Sequence, residues 1–552
     1  MHNSISLGQY LLSRLKELGI SHIFGVPGDY NLVFLDEVVN DQDLTWVGNC
    51  NELNAAYAAD GYARIKGAGA LVTTFGVGEL SAMNGLAGSY AEHVPVVSIV
   101  CAPSSTMQQS GALMHHTFAN GQFDMFAKMF TEITSAQALL TKENPTEHID
   151  RVLRECWIKK RPVYILLPSD LIQMPVQKPS KKLDLSYPES DMNAVEELSD
   201  KIAALLNQAQ RPIILIDICA FRHPMREFIL QLLDKTKIDF ATLNMSKGLI
   251  DESHPQFIGI YNGVYSSPGV QQKVEQSDCI LSFDIIMCDF NSGGFTSKVD
   301  PNVSIEIHSD TVKIHQALYE HVYFNAVIPA LINKVHAHHA NSNTVSSPLL
   351  AKETSATVIS QNRFWQLMEN FLQTGDIVVT DMGTTIFGLL PRHLPNATTM
   401  ISQPLWSSIG FSVPAGLGAL IAAPTRRIIM FVGDGAFQCT AQEVSTMMYL
   451  KLNPIIFLIN NDGYSIERAI HGPKMSYNDI NMWDYAKLPH IFGENAWTKR
   501  VISETELEQA LQELSEYPKQ LKLIEVITDR FDYPGALKQI GQDAEKFNAS
   551  KT

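Results

Sequence analysis

The chain has 552 residues, which is too long for one compact core and corresponds to about three or four domains. Its 58 acidic and 42 basic residues leave a formal charge of −16, which argues against nucleic acid and anionic membranes as partners. We expect no signal peptide and no membrane span, and the seven scattered cysteines form no CxxC pair, so a cytoplasmic protein is expected.

Two polar stretches divide the chain into three segments. Residues 175–191 are rich in proline and charge, whereas residues 336–360 are small, polar and aperiodic. The predicted domains are therefore residues 1–180, 190–340 and 355–552. We interpret His336, His338 and His339 as part of a solvated linker, because no acidic residue or cysteine adjoins them to complete a metal site.

Each segment alternates short apolar runs with helical patterns, which is typical of a parallel α/β sheet. The runs are ALVTTF (70–75) and VPVVSIV (94–100) in the first segment, RPIILID (211–217) and CILSFD (279–284) in the second, and RIIMFV (427–432) and PIIFLIN (454–460) in the third. The chain is therefore predicted to be an α/β protein with helices flanking its sheets.

The first and third segments repeat one pattern. In both, a strand pattern ends in a glycine turn, Gly76–Gly78 or Gly433–Gly435, and a helix pattern then leads to a proline and a second strand. A helix of small residues precedes each repeat. We interpret this as two copies of one α/β design, with two ordinary βαβ units as the alternative.

The second glycine turn places the carboxylate of Asp434 where such turns usually hold phosphate. The next strand pattern ends in Asn460-Asn461-Asp462-Gly463. Because neighbouring parallel strands end at the same edge of a sheet, Asp434 and Asn461 should meet there, with a carbonyl near Gly463 as a third ligand. Such oxygens bind Mg²⁺ or Ca²⁺, and the cation would hold a diphosphate at the start of the following helix.

This pattern resembles the cofactor signature of thiamine-diphosphate enzymes. Over nearly its whole length the chain is similar to the 2-oxo acid decarboxylases, the pyruvate and indolepyruvate decarboxylase group. The matching motifs are FGVPGDYN (24–31), NELNAAYAADGYAR (51–64), GSYAEHVPV (88–96), HHT (115–117), QPLWSSIGFSVPA (403–415) and NNDGYSIERAIHGP (460–473).

The resemblance implies thiamine diphosphate and Mg²⁺ as cofactors and a 2-oxo acid as the small-molecule substrate. It further implies a pyrimidine-binding domain (1–180), a central domain (190–340) and a diphosphate-binding domain (355–552). The first and third would share one cofactor-binding design. A homodimer is implied too, often paired into a homotetramer, with active sites between subunits.

The resemblance also implies roles for single residues. Glu52 matches the glutamate that polarises the cofactor's aminopyrimidine, and Ile409 matches the side chain over which the cofactor bends. On composition alone they would be a first-turn helix acid and a core isoleucine. The implied proton-transfer residues are Asp29, His115, His116 and Glu467. The other implied cofactor contacts are Thr384, Ser407, Gly433, Asp434, Gly435, Ala436, Phe437, Asn461 and Gly463, with Asp434, Asn461 and Gly463 as metal ligands.

The implied substrate pocket is lined by Phe290, Met382, Ile386, Ile466 and Ile470. The β-branched Ile386 and Ile466 favour pyruvate, which would be decarboxylated without oxidation to acetaldehyde and carbon dioxide. Met382 and the ERAIHG motif favour indolepyruvate, phenylpyruvate or a branched-chain 2-oxo acid instead. A binding or regulatory protein that reuses the fold is the non-enzymatic alternative.

Two features stay open at this point. Residues 91–95 and Cys219 match places linked to substrate activation in some relatives, and a buried helix end with an ordinary core cysteine is an equal alternative. The tail of residues 539–552 either covers the active site or frays.

Overall fold

The computed structural model of the chain describes residues 4–338 and 358–549. It contains three large sheets flanked by helices, one within each predicted segment, which confirms the α/β class. His339 and most of the second linker lie outside the described residues, as do residues 550–552. Within the described part of the chain, no helix has the length and apolar character needed to cross a membrane.

The first segment carries an all-parallel sheet of six strands. The strands of this segment are β1 (Ser4–Ser6), β2 (His22–Gly25), β3 (Thr45–Gly48), β4 (Gly69–Thr74), β5 (Val96–Ala102), β6 (Ala136–Leu139), β7 (Val163–Pro168) and β8 (Pro175–Gln177), of which β1 and β8 form a separate two-stranded sheet. Its helices are α1 (Leu7–Glu17), α2 (Leu32–Asn40), α3 (Glu52–Lys66), α4 (Val77–Ala91), α5 (Ser105–Gln109), α6 (Met125–Met129) and α7 (Pro145–Lys159), with a 3₁₀ turn at Thr131–Ile133. The sheet order is β3-β2-β4-β5-β7-β6. Strand β8 pairs antiparallel with β1, so the predicted linker begins as a strand.

The middle segment carries a mixed sheet of seven strands. Its strands are β9 (Pro212–Ile216), β10 (Phe240–Thr242), β11 (Phe257–Ile260), β12 (Cys279–Phe283), β13 (Ser304–Ile307), β14 (Thr311–Ile314) and β15 (Ala317–Glu320). Its helices are α8 (Met192–Gln208), α9 (Cys219–Arg222), α10 (Arg226–Thr236), α11 (Pro268–Glu275) and α12 (Phe324–Lys334), with 3₁₀ turns at Asn244–Ser246 and Pro301–Val303. The order is β11-β10-β9-β12-β13-β14-β15. Strands β14 and β15 are antiparallel, because the short turns before them leave no room for a parallel crossover.

The third segment again carries an all-parallel sheet of six strands. Its strands are β16 (Ile377–Thr380), β17 (Thr399–Ile401), β18 (Ile428–Gly433), β19 (Ile455–Asn460), β20 (Ala496–Val501) and β21 (Leu521–Ile527). Its helices are α13 (Gln361–Phe371), α14 (Thr384–Leu389), α15 (Ser412–Ala422), α16 (Asp434–Thr440), α17 (Glu443–Tyr449), α18 (Ser465–Ile470), α19 (Leu488–Phe492), α20 (Glu504–Glu513) and α21 (Gly535–Ala549), with 3₁₀ turns at Ser476–Asn478, Tyr485–Lys487 and Leu514–Glu516. The order is β17-β16-β18-β19-β21-β20.

The first and third sheets have the same topology. Counted from its own first strand, beginning at β2 or at β16, each sheet runs second, first, third, fourth, sixth, fifth. The central strands of both are buried and apolar, as expected for parallel sheets with helices on both faces. The prediction that the two segments share one design is confirmed.

Helices α3 and α15, the two small-residue helices, pack directly against each other. A Cβ atom added at Gly61 would lie 2.1 Å from the carbonyl oxygen of Ala415, and one at Gly418 would lie 1.9 Å from that of Ala58. Only glycine permits these backbones to touch. This packing merges the first and third segments of one chain into a common apolar core.

Candidate active site

Asp434 and Asn461 meet at the carboxyl edge of the third sheet, as the sequence predicts. Asp434 directly follows β18, Asn461 directly follows the neighbouring β19, and both side chains are buried. The carboxylate of Asp434 accepts hydrogen bonds from the backbone N–H of Gly463 at 2.9 Å and of Gly435 at 2.8 Å. Burial nevertheless raises the pKa of Asp434 to about 6, because desolvation disfavours its charged form.

Three oxygens, one of them from this carboxylate, lie close together. The amide oxygen of Asn461 lies 2.9 Å from the carbonyl oxygen of Gly463 and 3.1 Å from Oδ1 of Asp434. If the Asn461 amide were rotated by half a turn, its nitrogen would instead donate to the carbonyl oxygen of Gly463 and to Oδ1 of Asp434. A bound cation requires the first orientation, in which the amide oxygen faces the other two oxygens. Adjacent ligands of an octahedral Mg²⁺ ion, each about 2.1 Å from the metal, are about 3.0 Å apart. The donor set and its spacing therefore fit magnesium.

Arg468, which the sequence analysis did not single out, holds the loop that carries these oxygens. Its fully buried guanidinium donates to the carbonyl oxygens of Asp462 at 2.7 Å and Asn478 at 3.1 Å, and to the carboxylate of Asp479 at 2.7 Å. Gly463 has φ +113°, and a Cβ there would lie 2.3 Å from the Asn478 carbonyl oxygen. The sequence does not predict this role, because a charged residue in a helical pattern gives no sign of the loop groups to which it will donate hydrogen bonds.

A second buried aspartate fixes the loop of Ile409. Asp381 follows β16 and accepts from the backbone N–H of Gly410 at 3.2 Å and from both the N–H and the hydroxyl of Ser412, at 3.0 and 2.7 Å. Ile409 directly precedes these anchored residues and is 37% exposed. Ser407, two residues earlier, has φ +58°, a conformation uncommon for a residue with a side chain.

The start of α16 lies at the same edge. A Cβ at Gly435 would lie 2.5 Å from the ring of Tyr464, whereas one at Gly433 would meet nothing within 4 Å, so open space adjoins that backbone. Ala436 and Phe437 are buried behind it. Thr384, at the start of α14, is buried with its hydroxyl 3.5 Å from the amide nitrogen of Asn461. All the predicted contacts of the third segment therefore lie around the three oxygens or on loops tied to that edge.

Glu52 is the first residue of α3, whose N-cap Asn51 accepts from the N–H of Asn54 at 2.8 Å. Its carboxylate reaches the start of α4, because a Cβ at Gly78 would lie 3.1 Å from Glu52 Oε1. The buried Glu79 closes this turn by accepting from the N–H of Gly76 at 2.8 Å. Glu79 stands three residues after Gly76, which is the spacing of a capping box. This spacing was the signal in the sequence that could have identified Glu79.

Glu443, on α17, ties the start of α3 to the third segment. Its carboxylate accepts from the amide nitrogens of Asn49 and Asn54, both at 2.7 Å, and from the N–H of Cys50 at 3.3 Å. Burial raises its pKa. Sequence reasoning missed this residue because its partners lie in a distant part of the chain, yet it holds the turn that presents Glu52.

Asp29, His115 and His116 come together in the first segment. Nε2 of His115 lies 2.7 Å from Oδ2 of Asp29, and Nε2 of His116 lies 3.7 Å from Oδ1. Tyr30 stacks on His115 with ring centroids 5.1 Å apart. Glu467 lies elsewhere, exposed on α18, and no hydrogen bond or ion pair between described residues joins it to this cluster. The structure thus unites three of the four predicted proton-transfer residues.

Four of the five predicted pocket residues belong to one apolar cluster. Phe290, Met382, Ile386 and Ile466 pack there with Phe387, Leu390 and Leu537. Ile470, one helical turn beyond Ile466, lies outside this cluster.

The carboxy-terminal helix α21 covers that cluster. Leu537 is fully buried in it, Gly541 packs against Ala469, and Asp543 accepts from the hydroxyl of Tyr265 at 2.9 Å. The described residues of the tail therefore pack on this cluster, through Ile540 and Gly541. The part beyond α21 lies outside the described residues.

The two features matched to substrate activation are both buried. Glu92 accepts from the N–H of Leu405 at 2.8 Å, and Cys219 lies in a small apolar cluster with Met245 and Leu249. All seven cysteines are free.

Comparison with known proteins identifies the same three parts. Residues 5–125 match the N-terminal TPP binding domain of thiamine pyrophosphate enzymes, residues 199–331 their central domain, and residues 382–526 their C-terminal TPP binding domain. The chain is 40% identical over 563 residues to pyruvate decarboxylase isozyme 1 of Saccharomyces cerevisiae, with all of both chains covered. It is 41% identical to the pyruvate decarboxylase of Candida glabrata, again over all of both chains, and 42% identical to that of Aspergillus fumigatus, over 99% of this chain and 98% of the relative. The chain therefore belongs to the pyruvate decarboxylase family of thiamine pyrophosphate enzymes.

Proposed function

We propose that the chain is a 2-oxo acid decarboxylase that depends on thiamine diphosphate and Mg²⁺ and converts pyruvate to acetaldehyde and carbon dioxide. The observation that carries the proposal is the group of three oxygens from Asp434, Asn461 and Gly463, whose spacing suits Mg²⁺. Full-length similarity to pyruvate decarboxylases supports the choice of reaction.

The residues at the edge of the third sheet would hold the cofactor. Asp434, Asn461 and Gly463 would bind the metal, and the start of α16 with Thr384 and Ser407 would receive the diphosphate. Ile409 would pack against the cofactor. When bound, thiamine diphosphate supplies the nucleophilic carbon and the electron sink that decarboxylation requires.

The chain's own acids and histidines would handle the protons. Glu52 would hold a proton against the far ring nitrogen of the pyrimidine. The Asp29, His115 and His116 cluster and Glu467 would donate to the carbon left after carbon dioxide departs. Helix α21 and the apolar cluster beneath it would exclude water and hold the short side chain of the substrate.

The proposal includes a cytoplasmic homodimer or homotetramer whose active sites lie between subunits, with domains over residues 1–180, 190–340 and 355–552. Its support is that no hydrogen bond or ion pair between described residues joins the proton-transfer cluster to Glu467, and that apolar side chains are exposed beside the cluster. Leu113 is 71% exposed and Phe118 59% exposed, on either side of the two histidines. Apolar residues exposed together commonly mark a protein interface.

The test is steady-state decarboxylation of pyruvate, phenylpyruvate, indolepyruvate and 2-oxoisovalerate, with and without thiamine diphosphate and Mg²⁺. Cofactor-dependent turnover with the highest kcat/KM for pyruvate is expected. A higher kcat/KM for phenylpyruvate or indolepyruvate would keep the mechanism and replace the substrate. Absence of turnover with all four would refute the proposal.

Glu467→Gln should lower kcat by about 100- to 10,000-fold, the usual contribution of a general acid, while cofactor affinity changes little. The glutamine keeps the size of the side chain and loses its proton. The measurement is kcat with saturating pyruvate, alongside cofactor affinity from quenching of protein fluorescence. Glu494→Gln, at another exposed glutamate of the third segment, is the matched control. Undiminished kcat in the Glu467 variant would refute its role.

Ile466→Ala should raise the ratio of kcat/KM for phenylpyruvate to that for pyruvate by about 10- to 200-fold, because it enlarges an apolar pocket. Ile466 is only partly buried, so the variant should fold. Ile470→Ala is the comparison on the same helix and should change the ratio less, since Ile470 lies outside the apolar cluster. Equal ratios in all three proteins would contradict the assignment of Ile466 to the pocket.

A further inference from the structure

We propose that Asp29, His115 and His116 form a second divalent-cation site, one that takes a transition metal such as Zn²⁺ and blocks turnover when filled. One carboxylate oxygen and two imidazole nitrogens would bind the ion, leaving a position for water. The inhibition rests on the proposed function, whereas the binding does not.

The three ligand atoms are already close together. One oxygen or nitrogen from each residue lies within 4.8 Å of the other two, and no other trio of His, Cys, Asp or Glu among the described residues meets this condition. Ligands of a tetrahedral zinc ion are about 3.4 Å apart, given bonds of about 2.0–2.1 Å. Nε2 of His115 lies 2.7 Å from Oδ2 of Asp29, and Nε2 of His116 lies 3.7 Å from Oδ1. Side-chain rotations that bring both nitrogens and one of these oxygens to the tetrahedral spacing complete the site.

The surroundings hold both histidines in place. His116 has φ +58°, and its carbonyl oxygen packs so closely on Gly76 that a Cβ there would lie 2.0 Å away. Tyr30 stacks on His115, and its hydroxyl lies 3.5 Å from Nδ1 of that ring. A metal-binding histidine usually donates its other N–H to such an oxygen, which fixes the tautomer.

Binding of the ion is a ligand exchange without oxidation or reduction. The hydrogen bond between His115 and Asp29 breaks, and the proton of His115 then resides on Nδ1, facing Tyr30. The Nε2 lone pairs of both neutral imidazoles and one oxygen of Asp29 displace three waters from the hydrated ion. The ligand atoms that would transfer protons during turnover are then bound to the ion, so turnover stops.

The two cation sites differ in donor chemistry. Asp434, Asn461 and Gly463 offer oxygens alone, which suit Mg²⁺, whereas the cluster in the first segment offers two imidazoles and one carboxylate, which suit Zn²⁺, Cu²⁺ or Ni²⁺. Excess Mg²⁺ should therefore fill the site of Asp434 without preventing Zn²⁺ from binding to the two histidines.

The experiment is calorimetric titration of ZnCl₂ into the holoenzyme, with thiamine diphosphate and Mg²⁺ in excess. We expect one tight site per chain, whose affinity falls by about 100-fold in the His115→Gln/His116→Gln double variant, because two of the three ligands are lost. His393→Gln, at an exposed histidine of the third segment, should bind like the unaltered protein. Equal affinity in the double variant would overturn the proposal.

Two further measurements separate this site from other zinc ligands. Loss of the tight site in Cys50→Ser or Cys439→Ser instead of the double variant would place zinc on a thiol and overturn the proposal. In the unaltered enzyme, Zn²⁺ should abolish pyruvate turnover without releasing the cofactor, and a zinc chelator should restore it. Zinc binding to the histidines without any 2-oxo acid turnover would refute the proposed function and leave the metal site standing.

Discussion

Asp434→Ala is expected to lose binding of thiamine diphosphate in the presence of Mg²⁺, with cofactor affinity reduced by at least about 100-fold. The carboxylate is one of the three oxygens that would surround the metal, and it also accepts from the N–H of Gly463 at 2.9 Å. Its removal takes away both the charge that attracts the cation and the anchor of the loop that carries the other ligands. Turnover should fall in proportion to the cofactor that is lost.

The measurement is the rise in melting temperature on adding thiamine diphosphate and Mg²⁺, since a ligand that binds the folded state stabilises it by RT ln(1 + L/Kd), where L is the free ligand concentration. The unaltered protein should show the rise and the variant should not. Asp462→Asn is the matched control, because Asp462 lies in the same loop but pairs with Arg530. A full rise in the Asp434 variant would show that the carboxylate is no metal ligand.

Glu52→Gln is expected to lower kcat by about 100- to 10,000-fold while cofactor affinity stays nearly unchanged. Glutamine keeps the shape of the side chain at the start of α3 but cannot hold a proton against the pyrimidine nitrogen. The direct measurement is exchange of the C2 proton of the bound cofactor into heavy water, which should slow with kcat.

Glu147→Gln is the control for the alternative that Glu52 is only a first-turn helix acid. Glu147 occupies the first turn of α7, so its replacement removes the same favourable interaction with a helix dipole. The Glu147 variant should keep full turnover. Equal kcat in both variants would remove Glu52 from the mechanism.

Mixing these two inactive proteins tests where the active site lies. If Glu52 of one subunit faces Asp434 of its partner, each hybrid of Glu52→Gln and Asp434→Ala chains contains one intact site and one doubly altered site. Random exchange at equal amounts should then restore about a quarter of the unaltered activity. No recovery, with exchange confirmed by mass measurement of tagged chains, would place each site within one chain.

The sequence by itself determined the class of the fold, its internal repetition and the sheet edge at which Asp434 and Asn461 meet. Buried parallel strands are continuous apolar runs, so β4, β5, β18 and β19 were visible as such. The meeting of Asp434 and Asn461 followed from the rule that adjacent parallel strands end together. Such local and periodic signals need no knowledge of distant contacts.

Only the tertiary structure decided which distant residues support the site. Glu443 binds Asn49 and Asn54. Arg468 binds the carbonyl oxygens of Asp462 and Asn478, and α21 packs on the apolar cluster of the predicted pocket residues. These contacts join elements that are far apart in the chain. Burial makes their hydrogen bonds important for stability, because a polar group removed from water must find its partner inside the protein. A sequence pattern records the composition and spacing of one element but not the element against which it will pack. For the same reason, the contact between Asp29 and His115, 86 residues apart in the chain, is seen only in the fold.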